Sequence, residues 1–189
     1  MTNLTFYFDP RCPWAWKTSL WAREVQRQGA ITLNWKLFSL REINRDQVPP
    51  PTEADAALRA LWLARKEGGQ EAIDRLYLAL GRASHDRQAD LRSHDVLIAA
   101  AAQAELDPTL VDRAVADPAT SKAVLEEHHD AEQRLQAFGV PWLVVEDQDF
   151  GFYGPIVDEV PEGQAALDLW EHSSWLLRQP HFYELKRPR

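Results

Sequence analysis

The stretch Phe8-Asp9-Pro10-Arg11-Cys12-Pro13-Trp14-Ala15-Trp16, residues 8–16, joins a strand pattern to a helix pattern. The β-branched and aromatic run from Leu4 to Phe8 predicts a strand, which Asp9-Pro10 ends. Apolar residues then recur at helical spacing up to a stop at Gly29, and Pro13 suits the first position of a helix. The pattern therefore predicts that Cys12, the single cysteine of the chain, lies at the start of a helix that follows a strand.

A second strand pattern follows this helix. From Ile31 to Phe38, apolar residues alternate with polar ones, as in a strand with one buried face. A strand, a helix and a second strand in so short a stretch form a βαβ unit. We therefore expect the two strands to be parallel and joined by a right-handed crossover.

The pattern becomes helical between Val48 and Phe138. Chain breaks and helix starts lie at Pro49-Pro50-Pro51, Thr52, Gly68-Gly69, Ser93, Asp107-Pro108 and Asp117-Pro118. The last of these helices is predicted to run to Gly139, with an inward stripe formed by Val124, His128, Ala131, Leu135 and Phe138. We therefore expect an all-helical insertion of about ninety residues, 49–138.

The strand pattern resumes at Val140 and predicts a hairpin of two strands, followed by a final helix from Glu162 to Leu177. The order of elements is then βαβ, several helices, and ββα. This order predicts an α/β framework made of residues 1–48 and 139–189, which encloses the helical insertion.

Composition argues against several kinds of partner. The 189 residues have a formal net charge of −8 and no cluster of Lys and Arg, so they lack the basic surface typical of nucleic-acid-binding proteins. No apolar run approaches the roughly 20 residues that a membrane-spanning helix needs. The first twenty residues also lack a signal-peptide pattern. We expect a cytoplasmic protein with no nucleic-acid or membrane partner.

Cys12 cannot form a disulfide within the chain, so its interest lies in its reactivity. At a helix N-terminus, backbone N–H groups and the helix dipole stabilise a thiolate. We expect the pKa of Cys12 to be lowered moderately, because the carboxylate of Asp9, if close, opposes the thiolate. The alternative is an inert core thiol.

Residues 8–16 resemble the active-site segment of DsbA-like thioredoxin-fold proteins, in the branch of the mycothiol-dependent nitroreductases and FrnE-type oxidoreductases. The resemblance spans nearly the whole chain. It continues at Ser39-Leu40, Asn44-Arg45, His128-His129, Gly139-Val140-Pro141, Tyr153-Gly154-Pro155 and residues 180–187. It implies an α/β thioredoxin-like fold with a mixed sheet, in which the βαβ and ββα parts flank the helical insertion.

The resemblance also implies a role for the segment that starts at Cys12. Cys12 matches the nucleophilic cysteine of the family's Cys-Pro-Trp-Cys motif, and Pro13 and Trp14 match its middle positions. Ala15 departs from the motif, since dithiol members have there a second cysteine that resolves the mixed disulfide. The cycle must then use one thiol. Either an external thiol resolves the Cys12 adduct, or the chain has left redox chemistry.

Other parts of the site are implied further along the chain. Pro141 matches a cis proline beside the nucleophile, where the Val140 backbone pairs with an incoming peptide or thiol. Trp14 and Asn44 match substrate-pocket positions, although Trp14 also suits core packing and Asn44 a turn. We expect a cleft with one wall from the insertion, lined by Trp14, Trp16, Asn44 and Trp142.

The leading interpretation is a cytoplasmic thiol-dependent oxidoreductase that acts on a small molecule through Cys12, with mycothiol or a similar low-molecular-weight thiol as co-substrate. No metal is expected, since the chain has no second cysteine and no His-x-x-x-His pattern. One alternative is an enzyme of the kappa-class glutathione transferase or 2-hydroxychromene-2-carboxylate isomerase type. Another is a non-catalytic thioredoxin-fold binding module. The oligomeric state stays open, with a homodimer as one option.

Overall fold

The computed structural model describes residues 1–46, 55–146 and 148–187. Its sheet has four strands in the order β2-β1-β3-β4. The strands are β1 Thr2–Phe8, β2 Ile31–Leu37, β3 Trp142–Val145 and β4 Phe152–Tyr153. β2 is parallel to β1, whereas β3 is antiparallel to β1 and β4 is antiparallel to β3. The predicted βαβ unit and the predicted hairpin are therefore confirmed.

Helices flank this sheet and fill the interval between β2 and β3. They are α1 Pro13–Arg27, α2 Leu40–Ile43, α3 Ala56–Gly81, α4 His94–Gln103, α5 Leu110–Ala116, α6 Pro118–Arg134 and α7 Gly163–Leu176. A π-helical turn, Arg82–Asp86, follows α3. The predicted break at Gly68-Gly69 is a kink inside α3, where Gly69 has a φ of 69°. Asp55 caps α3, and the predicted cap Thr52 lies outside the described residues.

The end of α6 differs from the prediction. The helix ends at Arg134 instead of continuing to Gly139, because Gln136 adopts a left-handed φ of 55°. Ala137 N–H then donates back to Ala131 O at 3.1 Å, which closes the helix terminus. Phe138 consequently leaves the buried stripe and is 66 % exposed.

The outer edge of β2 is covered by side chains from the helices beside it. Trp35 N–H donates to the Gln70 side chain of α3 at 2.7 Å, and Leu37 N–H donates to Glu127 of α6 at 3.2 Å. Arg65 of α3 donates to Trp35 O at 2.9 Å. An edge strand usually leaves such groups to solvent or to another strand, so α3 and α6 complete the hydrogen bonding of this edge.

A continuous core joins the sheet to α3. Phe8 stacks on Tyr77 with ring centroids 3.7 Å apart, and Trp35 meets the same ring edge-on at 5.4 Å. Fully burying a large apolar side chain contributes about 1.5–3 kcal/mol, so this cluster ties the helices firmly to β1 and β2. The division into 1–48 with 139–189 and 49–138 stays a prediction, and its 48/49 boundary lies outside the described residues. In the described ranges, no helix is long and apolar enough to cross a membrane.

Candidate active site

Cys12 is the N-cap residue of α1, at the point where the chain leaves β1. Its Sγ accepts a hydrogen bond from Ala15 N–H at 3.4 Å. Pro13 follows at the start of the helix, where a missing N–H costs nothing. The residue is 5 % exposed, so its neighbours fix the direction of the side chain. The predicted helix-start position of Cys12 is confirmed.

The thiol also contacts the loop that leads into β3. Cys12 Sγ donates to Val140 O at 3.3 Å, and the Val140–Pro141 peptide bond is cis. Pro141 O accepts from Gly154 N–H at 2.9 Å, which joins this loop to the end of β4. The carbonyl of Val140 stabilises the protonated thiol, whereas the N–H of Ala15 stabilises the thiolate. The two contacts therefore favour opposite protonation states.

Asp9 is a buried carboxylate on the loop that carries Cys12. Its Oδ1 accepts from Arg11 N–H and its Oδ2 from Leu40 N–H, both at 2.9 Å. Burial raises the pKa of Asp9 to about 6, and these two hydrogen bonds act against the rise. The carboxylate thus fastens the Cys12 loop to the start of α2.

The π-helical turn contacts the same loop from the other side. His85 Nε2 lies 2.9 Å from Pro10 O, so this nitrogen carries the proton, and the ring stacks near Trp16 at 6.0 Å. Burial lowers the pKa of His85, which favours the neutral ring. Trp16 also packs on Gly81, where a Cβ atom would approach its ring to 2.2 Å. Turns of this kind often occur at functional sites.

The predicted site residues differ in exposure. Pro13 is exposed, Trp14 is half-buried and Ala15 is fully buried beneath Cys12. Asn44 lies at the surface and donates from its side-chain amide to Leu40 O at 2.6 Å. The structure thus joins Cys12 to Val140 directly and relates Asn44 to the site only through α2.

The sequence predicts that Trp16 and Trp142 line an open cleft, and this prediction is wrong for both side chains. Trp16 is 4 % exposed and Trp142 is 5 % exposed, so both rings are packed in the core. A concavity of about 290 Å³ does adjoin Arg11, the residue before Cys12. Its other lining residues come from the chain between β2 and β3 and are Ser84, Ala89, Asp90, Leu91 and Arg92.

His128, His129 and Glu132 form a cluster of the residue types that bind metals. His128 Nδ1 accepts from Ser39 N–H at 3.3 Å, so in the neutral ring Nε2 carries the hydrogen. Burial lowers the pKa of His128 to about 4, which keeps that ring neutral. Glu132 is already paired with Arg45. Because Nε2 presents a hydrogen rather than a lone pair, this arrangement does not favour a cation.

Sequence reasoning missed two contacts that hold the Cys12 loop. The sequence assigns no role to His85, because its bond to Pro10 O joins residues 75 positions apart. The sequence indicates for Asp9 only a charge that opposes the thiolate, whereas its side chain also accepts a hydrogen bond from Leu40 at the start of α2. No local pattern signals either contact.

A comparison with protein families identifies the family of this chain. The family model described as Rv2466c-like, "Mycothiol-dependent nitroreductase Rv2466c", matches residues 11–187. The chain belongs to this family. Its match to the mycothiol-dependent nitroreductases begins one residue before Cys12 and includes the helices between β2 and β3. Family membership confirms the predicted resemblance and makes the chain a thiol-dependent oxidoreductase.

The chain is also similar to a curated protein and to solved structures. The uncharacterised protein Rv2286c of Mycobacterium tuberculosis (strain ATCC 25618 / H37Rv) is 35 % identical over 199 residues, which cover 100 % of this chain and 83 % of that protein. The probable DsbA oxidoreductase SCO1869 from Streptomyces coelicolor superposes with a TM-score of 0.63 at 18 % identity, covering 100 % of this chain and 94 % of that one.

The cytosolic disulfide reductase DsbM from Pseudomonas aeruginosa, solved with GSH, superposes with a TM-score of 0.61 at 13 % identity. The match covers 91 % of this chain and 99 % of that one. At such identities the two structures show the fold alone. They confirm that this member of the nitroreductase family has the predicted thioredoxin-like fold.

Proposed function

We propose that this chain is a monothiol oxidoreductase in which Cys12 is the nucleophile and mycothiol or a similar low-molecular-weight thiol is the co-substrate. The observation that carries the proposal is the contact of Cys12 Sγ with Val140 O beside the cis Val140–Pro141 bond. It joins the chain's single cysteine, at a helix N-terminus, to a backbone acceptor. Because Ala15 stands where dithiol members have a second cysteine, the second thiol must come from solution.

The proposed cycle has two thiol–disulfide exchanges. In the first, the Cys12 thiolate attacks the thiol-derived sulfur of a mixed disulfide, R–S–S–M, where M–SH is the small thiol. A disulfide bond forms between Cys12 Sγ and the M sulfur, the S–S bond of R–S–S–M breaks, and R–S⁻ leaves with the electron pair and takes up a proton.

In the second exchange, a second M–SH loses its proton and M–S⁻ attacks the M sulfur of the adduct. M–S–S–M leaves and Cys12 regains its thiolate. The net reaction converts R–S–S–M and M–SH into R–SH and M–S–S–M, so the two-electron reduction of the substrate matches the oxidation of the small thiol.

The Val140 carbonyl changes its role during this cycle. In the resting state it accepts the thiol hydrogen of Cys12. Once the sulfur is in a disulfide it has no hydrogen to donate, so Val140 O can accept an N–H or O–H of the bound molecule. We assign substrate contacts to Trp14 and Asn44, which are half-buried and exposed, the support of the contact surface from below to the buried Trp142, and the shape of the helix start to Pro13 and Ala15.

We assign the protein to the cytoplasm, where small thiols are kept reduced and can complete the cycle. The partners we propose are a small-molecule substrate and the small thiol. We assign no metal, since the cycle needs none and the His128 cluster presents a hydrogen where a lone pair is required.

Intact-mass analysis of the wild type and of Cys12→Ser tests this proposal. After incubation with oxidised mycothiol, the wild type should gain the mass of one mycothiol, and the variant should gain nothing. A parallel incubation with oxidised glutathione reports which small thiol is accepted. Thiol-dependent turnover should fall by at least about a hundredfold in Cys12→Ser, because the nucleophile is lost.

Two results would favour the alternatives. Full activity of Cys12→Ser would mean that the protein activates a bound thiol without forming an adduct, as an enzyme of the kappa-class transferase type would. A wild-type Cys12 that reacts with neither disulfide and supports no turnover would favour a binding module.

A further inference from the structure

Three aromatic rings form a small surface beside the cis-proline loop, which we call the aromatic shelf: Phe138, Trp142 and Tyr153. Phe138 and Tyr153 stack with centroids 5.5 Å apart at 29°, and Phe138 meets Trp142 edge-on at 5.3 Å. Trp142 is buried and pairs with Tyr153 across the sheet, so the base of the shelf is rigid. Gly139 lies beside the Tyr153 ring, where a Cβ atom would be in van der Waals contact with it at 3.4 Å.

The aromatic shelf lies close to the nucleophile. Phe138 is two residues before Val140, whose carbonyl accepts the Cys12 thiol. Consecutive Cα atoms are about 3.8 Å apart, so the Cα of Phe138 lies within about 8 Å of the Cα of Val140. The loop that contacts the Cys12 thiol therefore also carries the exposed ring of Phe138.

The exposure of these rings contradicts the hydrophobic pattern. The apolar stripe of α6 predicts a buried Phe138, yet this side chain is 66 % exposed and Tyr153 is 39 % exposed. Burying these two rings would stabilise the fold. Their exposure beside the loop that contacts Cys12 is therefore typical of a surface that contacts a ligand. Places where a hydrophobic pattern fails without compensation tend to be functional.

We infer that Phe138 and Tyr153 bind a flat aromatic group on the disulfide that Cys12 attacks, and thereby set the enzyme's preference for aromatic substrates. The two uncharged rings stack on each other and stay partly exposed, so an aromatic group can stack offset on their exposed surface. The inference rests on the proposed function. With a symmetrical diaryl disulfide, the Cys12 thiolate attacks one sulfur, a Cys12–S–S–aryl bond forms, and the other aryl thiolate leaves with the electron pair.

Single-turnover reactions with two uncharged disulfides test the aromatic shelf. Dipyridyl disulfide has flat rings, and bis(2-hydroxyethyl) disulfide has none. For Phe138→Ala, we expect the second-order rate constant to fall about five- to tenfold with dipyridyl disulfide. With the hydroxyethyl compound it should stay within about twofold of the wild type. Tyr153→Ala should behave in the same way, whereas Tyr153→Phe, which keeps the ring, should behave as the wild type.

Trp175→Ala is the matched control, because Trp175 is an aromatic residue that is 63 % exposed, close to the value for Phe138, but lies on α7. It should change neither rate. Phe138→Leu keeps an apolar side chain without a ring. If its ratio of rate constants for dipyridyl and hydroxyethyl disulfides stays below half the wild-type ratio, the ring and not merely an apolar side chain is needed, which supports stacking. Equal losses with both disulfides, or no loss with either, would overturn the inference while Cys12 adducts still form. A wild-type chain that forms no adduct with either disulfide would instead contradict the proposed function.

Discussion

The two flanks of Cys12 are built from different kinds of group. On the cis-proline flank, a backbone carbonyl of Val140 faces the sulfur, and the Phe138 ring beyond it is exposed. On the insertion flank, Arg11 pairs with Asp55 and His85 contacts Pro10 O, so polar groups already have partners within the chain. The insertion flank therefore holds the loop that carries Cys12, whereas the cis-proline flank is the one that, in the function proposed above, receives the substrate.

The largest effect should come from placing a second thiol at position 15, which is buried next to Cys12. Ala15 is fully buried and its N–H already contacts Cys12 Sγ at 3.4 Å. In Ala15→Cys, an intramolecular thiol should release the Cys12 adduct at least about a thousandfold faster than in the wild type without added thiol. The measurement is the decay of the adduct mass after removal of free thiol.

Ala15→Ser is the control for this change, because it adds a similar volume without a thiol. Its adduct should persist as in the wild type. If Ala15→Cys also keeps its adduct in the absence of thiol, residue 15 cannot reach the sulfur, and the monothiol cycle does not follow from the alanine at that position.

The charge of Asp9 gives the next largest effect. Its pKa is raised from 3.8 to about 6 in the folded protein, so its contribution to stability is greatest below pH 3.8 and is lost as the pH rises through about 6. This difference of about two pH units corresponds to about 3 kcal/mol. Relative to Asp9→Asn, the wild type should therefore lose about 2.5 kcal/mol of unfolding free energy between about pH 4 and about pH 7.5.

Urea unfolding of both proteins across this range measures the difference. In Asp9→Asn, the side-chain oxygen can still accept from one of the N–H groups of Arg11 and Leu40, whereas the side-chain NH₂ group faces the other N–H. Because asparagine does not titrate in this range, the loss of stability from this change should be the same at every pH. A wild type that gains stability over the variant as the pH rises would mean that the two hydrogen bonds outweigh the burial of Asp9.

The smallest effect is expected for His85→Phe, which keeps a ring beside Trp16 but removes the hydrogen bond to Pro10 O. The unfolding free energy should fall by about 0.5–1.5 kcal/mol. The ratio of the rate constants for dipyridyl and hydroxyethyl disulfides should not change, because the cis-proline flank is untouched. A changed ratio would show that the two flanks are coupled through the loop.

Local patterns were enough for the regular parts of the fold. The alternation of β2 gave the correct buried face, with Ile31, Leu33, Trp35 and Leu37 in the core. The helix start at Cys12 was also predictable, because Pro13 restricts the backbone there. In contrast, the end of α6 depends on the left-handed Gln136, which the apolar spacing of the helix does not encode.

The candidate site was predictable only where the family resemblance supplied distant positions. Cys12 and Val140 lie 128 residues apart, and periodicity cannot pair them. The resemblance named both, and the structure joins them. His85 and Asp9 were missed because their partners depend on how the π-helical turn and α2 meet the loop, which is a property of the tertiary packing.

The covered edge of β2 has a consequence for any attempt to shorten this protein. Gln70, Arg65 and Glu127 occupy the hydrogen-bonding groups that another strand would otherwise take. Removing α3 and α6 would leave a bare row of N–H and C=O groups beside a strand rich in large apolar side chains, which is a template for chain-to-chain pairing. A version trimmed to the sheet, α1 and α7 should therefore self-associate into strand-paired aggregates. The helices between β2 and β3 thus protect the folded chain from aggregation through this edge.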